Sequence, residues 1–389
     1  MFLRTPRALI LAVLCALAAL PAQQKFKDTV LKKDGSRLRG VEVVDMTWTS
    51  IVYKKGTEQA ELPVAQFASV QWHEPPETFA SAGAADRRGD YDGAANLYAE
   101  AAKVSDRKVF QLEARFLSAQ AMLRAATDKD PARANDAATA FQSFVGDAGK
   151  GLRVPEAKLL LGRALRIAGK GADAEKILKE VEDTAVRENW GFVWDAKAKY
   201  EKALAQLAQN KVQDARSSYQ SVATAVDAAL VSTPGNKDPE LEDIKMQSVI
   251  GQGETFVADK NFDEALRYFD GLAGKSAGTN PALQAAALAG KGEALYLKAQ
   301  TGKDAALFRK AQIELANANL LDTDSGTGPS RGATSAKALY YTGKIILDLG
   351  PTKESPAFKA RAQGYFESVV KSFGGTRWAA LARAELTKK

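Results

Sequence analysis

The feature that most constrains the fold is an alanine followed four residues later by an aromatic residue or a leucine. Seven such pairs recur along the chain: Ala94 and Tyr98, Ala137 and Phe141, Ala174 and Leu178, Ala215 and Tyr219, Ala265 and Phe269, Ala311 and Leu315, and Ala362 and Phe366. Residues four apart share one face of an α-helix, so each pair indicates a helix whose small residue admits a close neighbour. Alanine supplies 71 of the 389 residues, which favours a chain built mostly of tightly packed helices.

The surroundings of three pairs resemble the tetratricopeptide repeat. Residues 261–269 read NFDEALRYF, and Gly253 and Phe256 precede them where that repeat's first helix carries a small residue and an aromatic. Residues 89–101 and 161–181 repeat the pattern. Successive anchor alanines lie 43, 37, 41, 50, 46 and 51 residues apart, whereas the standard repeat has about 34 residues. The resemblance implies an α-solenoid of about seven irregular helix hairpins, which we place at residues 76–389.

The C-terminus is similar to the repeats of bacterial envelope-assembly and cell-division coordinator proteins. In those repeats a tight turn is followed by a helix that begins with an aromatic residue and two spaced alanines. Here Gly374, Gly375 and Thr376 occupy the turn, and Trp378 begins the helix. The resemblance implies a protein of the bacterial cell envelope.

Residues 23–75 predict a separate, small all-β domain. Alternating or β-branched segments occur at 29–31, 38–44, 48–53, 60–62 and 70–72. Five short strands in about 50 residues fit a barrel of SH3-like or Sm-like type, and this segment loosely resembles a module that precedes helical repeats in some exported bacterial proteins. Trp48, Tyr53 and Trp72 either fill its core, the interpretation we prefer because a small domain needs its large side chains inside, or line a ligand groove.

Residues 1–22 are typical of a secretory signal peptide. Arg4 and Arg7 precede an apolar run at 8–20, which is short for a permanent membrane span. We expect cleavage near Gln23 and location in the periplasm or cell envelope, with an uncleaved anchor as the alternative. Lipidation of Cys15 is not expected, because Leu14 stands where a lipoprotein signal needs a small residue.

Composition argues against several classes of activity. Cys15 and His73 are the only cysteine and histidine, which excludes a disulfide framework, a cysteine-based zinc site and most Ser-His chemistry. Gly274-Lys275-Ser276 ends like a phosphate-binding loop, but Phe269 replaces the glycine that loop requires. The segment 322–326 offers oxygens to calcium without the late glutamate of a full calcium loop. We therefore expect no enzyme activity, cofactor or metal.

The formal net charge is +7, and two of those charges leave with the signal. Basic and acidic residues intermix along the chain, without the basic stripe and interleaved aromatics of a nucleic-acid binder. No nucleic-acid partner is therefore expected.

First helices of a solenoid line a concave face that binds partners. The repeat register places on that face Arg163, Arg166, Glu254, Glu293, Tyr296, Tyr340 and Lys344. Basic residues come early and acidic ones in the middle, a mixture suited to a partner with its own charge pattern. For any single member we prefer the interpretation as ordinary solvated helix surface. The sequence thus predicts an exported adaptor for a protein or peptide, or alternatively a structural or self-associating subunit of an envelope or cell-division complex.

Overall fold

The computed structural model describes residues 26–128, 131–232, 238–322, 332–350, 355–374 and 376–388. The predicted signal at 1–22 lies outside these residues. The chain divides into two compact units, Met1–Glu74 and Pro75–Lys389. Pro75 and Pro76 occupy the division, where proline interrupts both the strand and the helix pattern.

The first unit is a five-stranded antiparallel sheet, and every predicted strand segment contributes to it. Its strands are β1 (Asp28–Lys32), β2 (Arg37–Met46), β3 (Ser50–Lys55), β4 (Glu58–Pro63) and β5 (Phe67–Gln71). They lie in the order β4-β3-β2-β1-β5, so the last strand returns to pair with the first. Gly35 and Gly56 take positive φ angles in the hairpin turns, which a residue with a side chain adopts only at a cost.

Aliphatic residues, rather than aromatics, fill the interior of this sheet. Its most deeply buried side chains include Val30, Val41 and Ile51, whereas the three aromatics Trp48, Tyr53 and Trp72 are only half-buried. The interpretation that these three aromatics fill the core is therefore wrong, because aliphatic residues occupy it. Trp48 also lies in the bend before β3, where the Thr47 hydroxyl accepts a hydrogen bond from the Ser50 amide at 3.0 Å.

A buried carboxylate joins three parts of the sheet. Asp28 in β1 is fully buried, and its two oxygens accept hydrogen bonds from the amides of Val43 in β2, at 3.0 Å, and His73 after β5, at 2.9 Å. Buried carboxylates are stable only when they are bonded in this way. Asp28 thus fixes both neighbours of β1.

The described part of the second unit is helical. Its helices are α1 (Glu77–Arg87), α2 (Tyr91–Val104), α3 (Lys108–Asp128), α4 (Ala134–Ala148), α5 (Val154–Ile167), α6 (Gly171–Arg187), α7 (Phe192–Ala208), α8 (Val212–Ser232), α9 (Pro239–Ala258), α10 (Phe262–Ser276), α11 (Pro281–Gly302), α12 (Ala305–Asp322), α13 (Ala333–Leu349), α14 (Pro356–Ser372) and α15 (Arg377–Leu386). Consecutive helices pack against each other. They form seven hairpins, α1–α2 to α13–α14, followed by α15, and the predicted TPR-like solenoid architecture is confirmed.

Each predicted alanine lies in the second helix of a hairpin and is fully buried. The residue four positions on fills the space between the hairpin's helices. Phe269, for example, lies between Gly253 of its own hairpin and Gly290 of the next, and a methyl group at either glycine would overlap its ring. The alanine–aromatic pairs therefore mark the contact between the two helices of a hairpin, which we call the hairpin seam.

Polar side chains cap helices where the sequence changes pattern. Asn261 caps α10 through the Glu264 amide, and Asp90 caps α2 through the Gly93 amide. At the C-terminus the Thr376 hydroxyl accepts a hydrogen bond from the Ala379 amide at 3.2 Å. Thr376, the last residue of the predicted turn, thus caps helix α15, whose Trp378 is buried. Gly375 of that turn lies outside the described residues.

Candidate partner-binding face

The first helices of the second to seventh hairpins close into a ring with α15. Helices α3, α5, α7, α9, α11, α13 and α15 each contact the next in that order, and α15 contacts α3. We call these helices the inner ring. Packed helices lie about 8–10 Å apart, so opposite axes of a seven-membered ring are separated by roughly 20 Å. Side chains that point inward consequently face one another across a narrow space.

One charged cluster joins α5 to α7. Arg163 of α5 donates from Nε to Glu201 Oε1 at 2.8 Å, and its Nη2 contacts the same oxygen. Arg166 Nη2 lies 3.6 Å from Glu201 Oε2. The Glu201 carboxylate is buried, and although burial raises the pKa of such a group, the two guanidinium groups lower the pKa of Glu201 below its usual value. A buried charge with two partners keeps its ionised form.

A second cluster centres on Glu254 of α9. Its Oε1 accepts a hydrogen bond from Lys337 Nζ of α13 at 3.2 Å and from Arg377 Nη2 of α15 at 3.0 Å. Along the ring, α11 and α13 separate α9 from α15, so the Glu254–Arg377 pair crosses the enclosed space. Burial alone would raise the pKa of Glu254, but Arg377 and Lys337 lower it to about 2.

Lys337 links this cluster to α11. The lysine is nearly inaccessible to solvent, and it also forms an ion pair with Glu293. The other oxygen of Glu293 accepts a hydrogen bond from the Tyr341 hydroxyl at 2.5 Å. Burial lowers the pKa of the ammonium group, and Glu293 and Glu254 more than compensate, so the pKa of Lys337 is raised overall. Lys337 is therefore charged inside the protein.

Tyr200 of α7 lies between the two clusters. Its pKa is raised, mainly by burial and then by the negative charges of Glu201 and Glu254. The ring of Tyr200 packs against that of Tyr219, with centroids 5.8 Å apart. The hydroxyl of Tyr219 is buried without a hydrogen-bond partner among the described residues, as is Nε of Arg166. Arg166 and Tyr219 thus each keep a polar atom with unused bonding capacity, on α5 and α8 respectively.

Each of the seven predicted face residues contacts other residues of the same chain. Arg163, Arg166, Glu254 and Glu293 belong to the clusters above. Lys344 Nζ donates to Glu385 Oε1 at 2.9 Å. All seven lie on inner-ring helices, as the repeat register predicts, and whether they bind a partner stays a prediction.

Tyr296, Tyr340 and Glu293 need a correction, because all three are buried in the packing between helices rather than open on a face. The Tyr296 hydroxyl donates to Asp348 at 2.9 Å. Burial, with Glu385 and Glu293 nearby, raises the pKa of Tyr340 to about 12. The expected block of acidic charge in the middle of the face also disappears, since Glu254 and Glu293 are neutralised by their ion pairs.

Sequence reasoning missed the partners that complete these clusters. They are Tyr200, Glu201, Lys337, Tyr341, Arg377 and Glu385. One signal was present: Lys337 stands between two alanines in the otherwise apolar stretch SAKALYY. A cation in such a stretch indicates a buried ion pair. Arg377 carried no comparable signal, because it lies in a turn-to-helix junction where exposed charges are common.

The segments with tempting motifs occupy ordinary structural positions. Gly274-Lys275-Ser276 forms the last turn of α10, and most of the segment 322–326 lies outside the described residues. Within the described part of the chain, no group of three or more His, Cys, Asp or Glu residues could hold a metal ion. None of the helices described there is long and apolar enough to span a membrane.

Comparison with known proteins adds little detail. No protein-family model matches the chain, and no curated protein matches it. Among solved structures, the crystal structure of NprR in complex with its cognate peptide NprX is similar with a TM-score of 0.44 and 13% sequence identity. That similarity covers 79% of this chain and 82% of the other.

Proposed function

We propose that the protein is an exported, non-enzymatic scaffold that binds a protein or peptide partner within its inner ring. The observation that supports this proposal is the pair of ion clusters around Glu201 and Glu254. They hold long, charged side chains in fixed positions around an enclosed space. A partner that meets such side chains does not have to order them, which reduces the entropic cost of binding.

The helical framework fits this role because the ring positions the clusters through backbone packing. Seams filled by alanine, glycine and aromatic residues fix the first helices, and these helices then carry the polar side chains. Polar residues at positions set by rigid elements are typical of binding sites. No catalytic group is needed for such a function.

Crosslinking tests the proposed site. Tyr200 faces both clusters, so a photoreactive benzoylphenylalanine placed there should crosslink the partner in cells that make the protein. The matched control is the same residue at Ile313, an exposed position on α12. A partner captured from position 200 and absent from position 313 supports binding within the ring. Equal capture at both positions, or capture only at 313, would contradict it.

Export rests on the sequence of residues 1–22 and has its own test. Sequencing of the mature N-terminus from the envelope fraction should give a start near Gln23. Full-length protein beginning at Met1 in the cytoplasm would refute export while leaving the binding proposal intact.

A second candidate function is self-association in an envelope or cell-division assembly, and an apolar edge favours it. Val104, Val186, Val231 and Leu320 are exposed near the C-terminal ends of α2, α6, α8 and α12. In consecutive hairpins the second helices run in the same direction, so these ends lie along the same edge. Covering these side chains with a second copy would remove apolar surface from water and so favour association.

Light scattering of the purified protein separates the two functions. Self-association through this edge predicts an oligomer that the combined Val104→Asp, Val186→Asp and Val231→Asp substitutions dissociate. A monomer at all concentrations would leave only the scaffold function.

A further inference from the structure

The ion pairs that Arg163, Arg377 and Lys344 form in the inner ring share an asymmetry: the carboxylate is more buried than its cation. Lys337 and Lys197 show the reverse, since each is more buried than its partners. Glu201 exposes 3% of its side chain, whereas its partner Arg163 exposes 41%. Glu254 exposes 18%, and its partner Arg377 exposes 58%. Lys344 is likewise more exposed than Glu385. A ligand that reaches Arg163 or Arg377 therefore meets the guanidinium group before it meets the carboxylate.

The two accessible arginines retain unused hydrogen-bond donors. Arg163 bonds Glu201 through Nε and Nη2, and Arg377 bonds Glu254 through Nη2. Nη1 of Arg163, and Nε and Nη1 of Arg377, have no hydrogen-bond partner among the described residues. A guanidinium group offers five N–H donors, and its geometry suits carboxylates.

Packing fixes the orientation of both groups. The Arg377 guanidinium lies over the ring of buried Trp378, 4.5 Å from its centroid. Arg163 is held by two contacts to one carboxylate oxygen. The negative charge of Glu201 raises the pKa of Arg163 above its usual value, and Glu254 does the same for Arg377. In both cases this outweighs burial, which lowers the pKa of an arginine. Both groups therefore keep their positive charge, which attracts an anion.

We propose that the inner ring binds an acidic peptide segment whose carboxylates contact Arg163 and Arg377. This inference rests on the proposed function and names the chemical class of its partner. The clusters around Glu201 and Glu254 contain four cations and three carboxylates: Arg163, Arg166, Lys337 and Arg377, against Glu201, Glu254 and Glu293. At Arg163 and Arg377 the carboxylate is the more buried partner, so the charge that is accessible at these two positions is positive.

A peptide fits this space better than a nucleic acid. Every nucleotide carries a charged phosphate, so a polynucleotide would bring phosphates close to Glu201, Glu254 and Glu293. An extended peptide can place carboxylates at the two arginines and uncharged residues near the buried glutamates. The Glu254–Arg377 ion pair spans the ring, so a bound peptide would have to pass beside it.

Fluorescence anisotropy with defined probes tests the inference on the signal-free chain. The probes are fluorescein-labelled twelve-residue peptides of alternating Gly with Glu, Gln or Lys, together with a single-stranded dodecanucleotide. The Gly-Glu peptide should bind at least tenfold more tightly than the Gly-Gln peptide, and affinity should fall as salt rises. Equal affinity for the Gly-Glu and Gly-Gln peptides, or tighter binding of the oligonucleotide, would overturn the inference.

Substitutions locate the binding. Arg163→Gln combined with Arg377→Gln should weaken Gly-Glu binding at least tenfold. The matched control is Arg187→Gln combined with Arg267→Gln, which removes two exposed arginines of the outer helices α6 and α10 and should leave affinity within twofold. An unchanged affinity in the first variant would refute the assignment.

A crosslinking measurement covers the case in which the first variant does not fold. A benzophenone-bearing Gly-Glu peptide should label α5, α7 or α15 of the unsubstituted protein, as read by mass spectrometry. Labelling confined to the outer helices would refute the site. If the cellular partner crosslinks at Tyr200 but an excess of the Gly-Glu peptide does not compete with it, the scaffold function stands and the acidic segment is wrong.

Discussion

Helices pack against each other through apolar contacts in the hairpin seams and are linked by ion pairs in the inner ring. The seams bring two helices together over alanine, glycine and one large apolar side chain, as at Ala265 and Phe269. The inner ring brings first helices together through ion pairs such as Glu254 with Arg377. The seams are apolar and join residues that are near each other in sequence, whereas the ring is charged and joins residues that are far apart in sequence. The seams hold the two helices of each hairpin together, whereas the ring carries the side chains that we propose for recognition.

The largest expected effect comes from Lys337 in the ring. Lys337→Ala leaves Glu254 and Glu293 without their shared ammonium group, and breaking a buried pair in this way costs about 3–5 kcal/mol of unfolding free energy. Lys179→Ala is the control, because this exposed lysine pairs only along its own helix and is worth at most about 1 kcal/mol. Urea unfolding followed by circular dichroism measures both. Similar losses in the two variants would show that the ring contributes no buried charge.

Ala265 tests the seam. A leucine at this position must push α10 away from α9 and α11, and overpacking of this kind costs about 1–3 kcal/mol. Ala316→Leu, at an exposed position on α12, should change stability little. Melting temperatures of the two variants give the comparison, and an Ala265→Leu protein that melts like its parent would place the seam elsewhere.

Two glycines give a smaller effect whose sign reverses between them. Gly253→Ala adds a methyl group that overlaps Phe269, so it should destabilise by about 1–2 kcal/mol. Gly271, in α10, has open space around it. Gly271→Ala should therefore stabilise by about 0.5–1 kcal/mol through helix propensity alone. Chemical denaturation of both proteins decides; destabilisation by both would mean that backbone effects dominate over the seam.

Acid pH should change the stability contributed by the inner ring but not that contributed by the hairpin seams. The pKa of Glu254 is about 2 in the folded protein against 4.5 in the unfolded chain, because Arg377 and Lys337 outweigh the effect of burial. A carboxylate whose pKa is lower in the folded protein stabilises the fold at pH values above its pKa in the unfolded chain. This stabilisation is lost as the pH falls through the pKa of the folded protein. The stability difference between parent and Glu254→Gln should therefore shrink from pH 4.5 to pH 2, whereas that between parent and Ala265→Leu should not. Unfolding free energies measured for parent and variants between pH 2 and pH 7 test this. A Glu254→Gln difference that does not change with pH would show that Glu254 is not paired with Arg377 and Lys337.

The same contrast explains what the sequence could predict. A seam forms between residues of one hairpin, so Gly253, Ala265 and Phe269 lie close enough in sequence to appear as a pattern. The strands of the β unit were recognisable for the same reason, through their local alternation and their turns. Trp48, Tyr53 and Trp72 were misjudged because the core of so small a sheet was already filled by aliphatic residues.

The inner ring could not be predicted with the same success. Glu254 and Arg377 are 123 residues apart, and only the curvature of the array brings them together. The register located the correct helices but not which inward side chains would be buried. Tyr296 and Tyr340 therefore looked available, although contacts with Asp348 and Glu385 remove them from the open face.

The return of α15 to α3 affects how the chain is made. About 250 residues separate the end of α3 from the start of α15, and a ribosome adds roughly 5–20 residues per second. The surface of α3 that α15 covers thus stays open for roughly 12–50 s after its own synthesis. During that interval the early hairpins are an incomplete arc with unsatisfied inner surfaces, which makes the nascent chain a natural client for a holding chaperone.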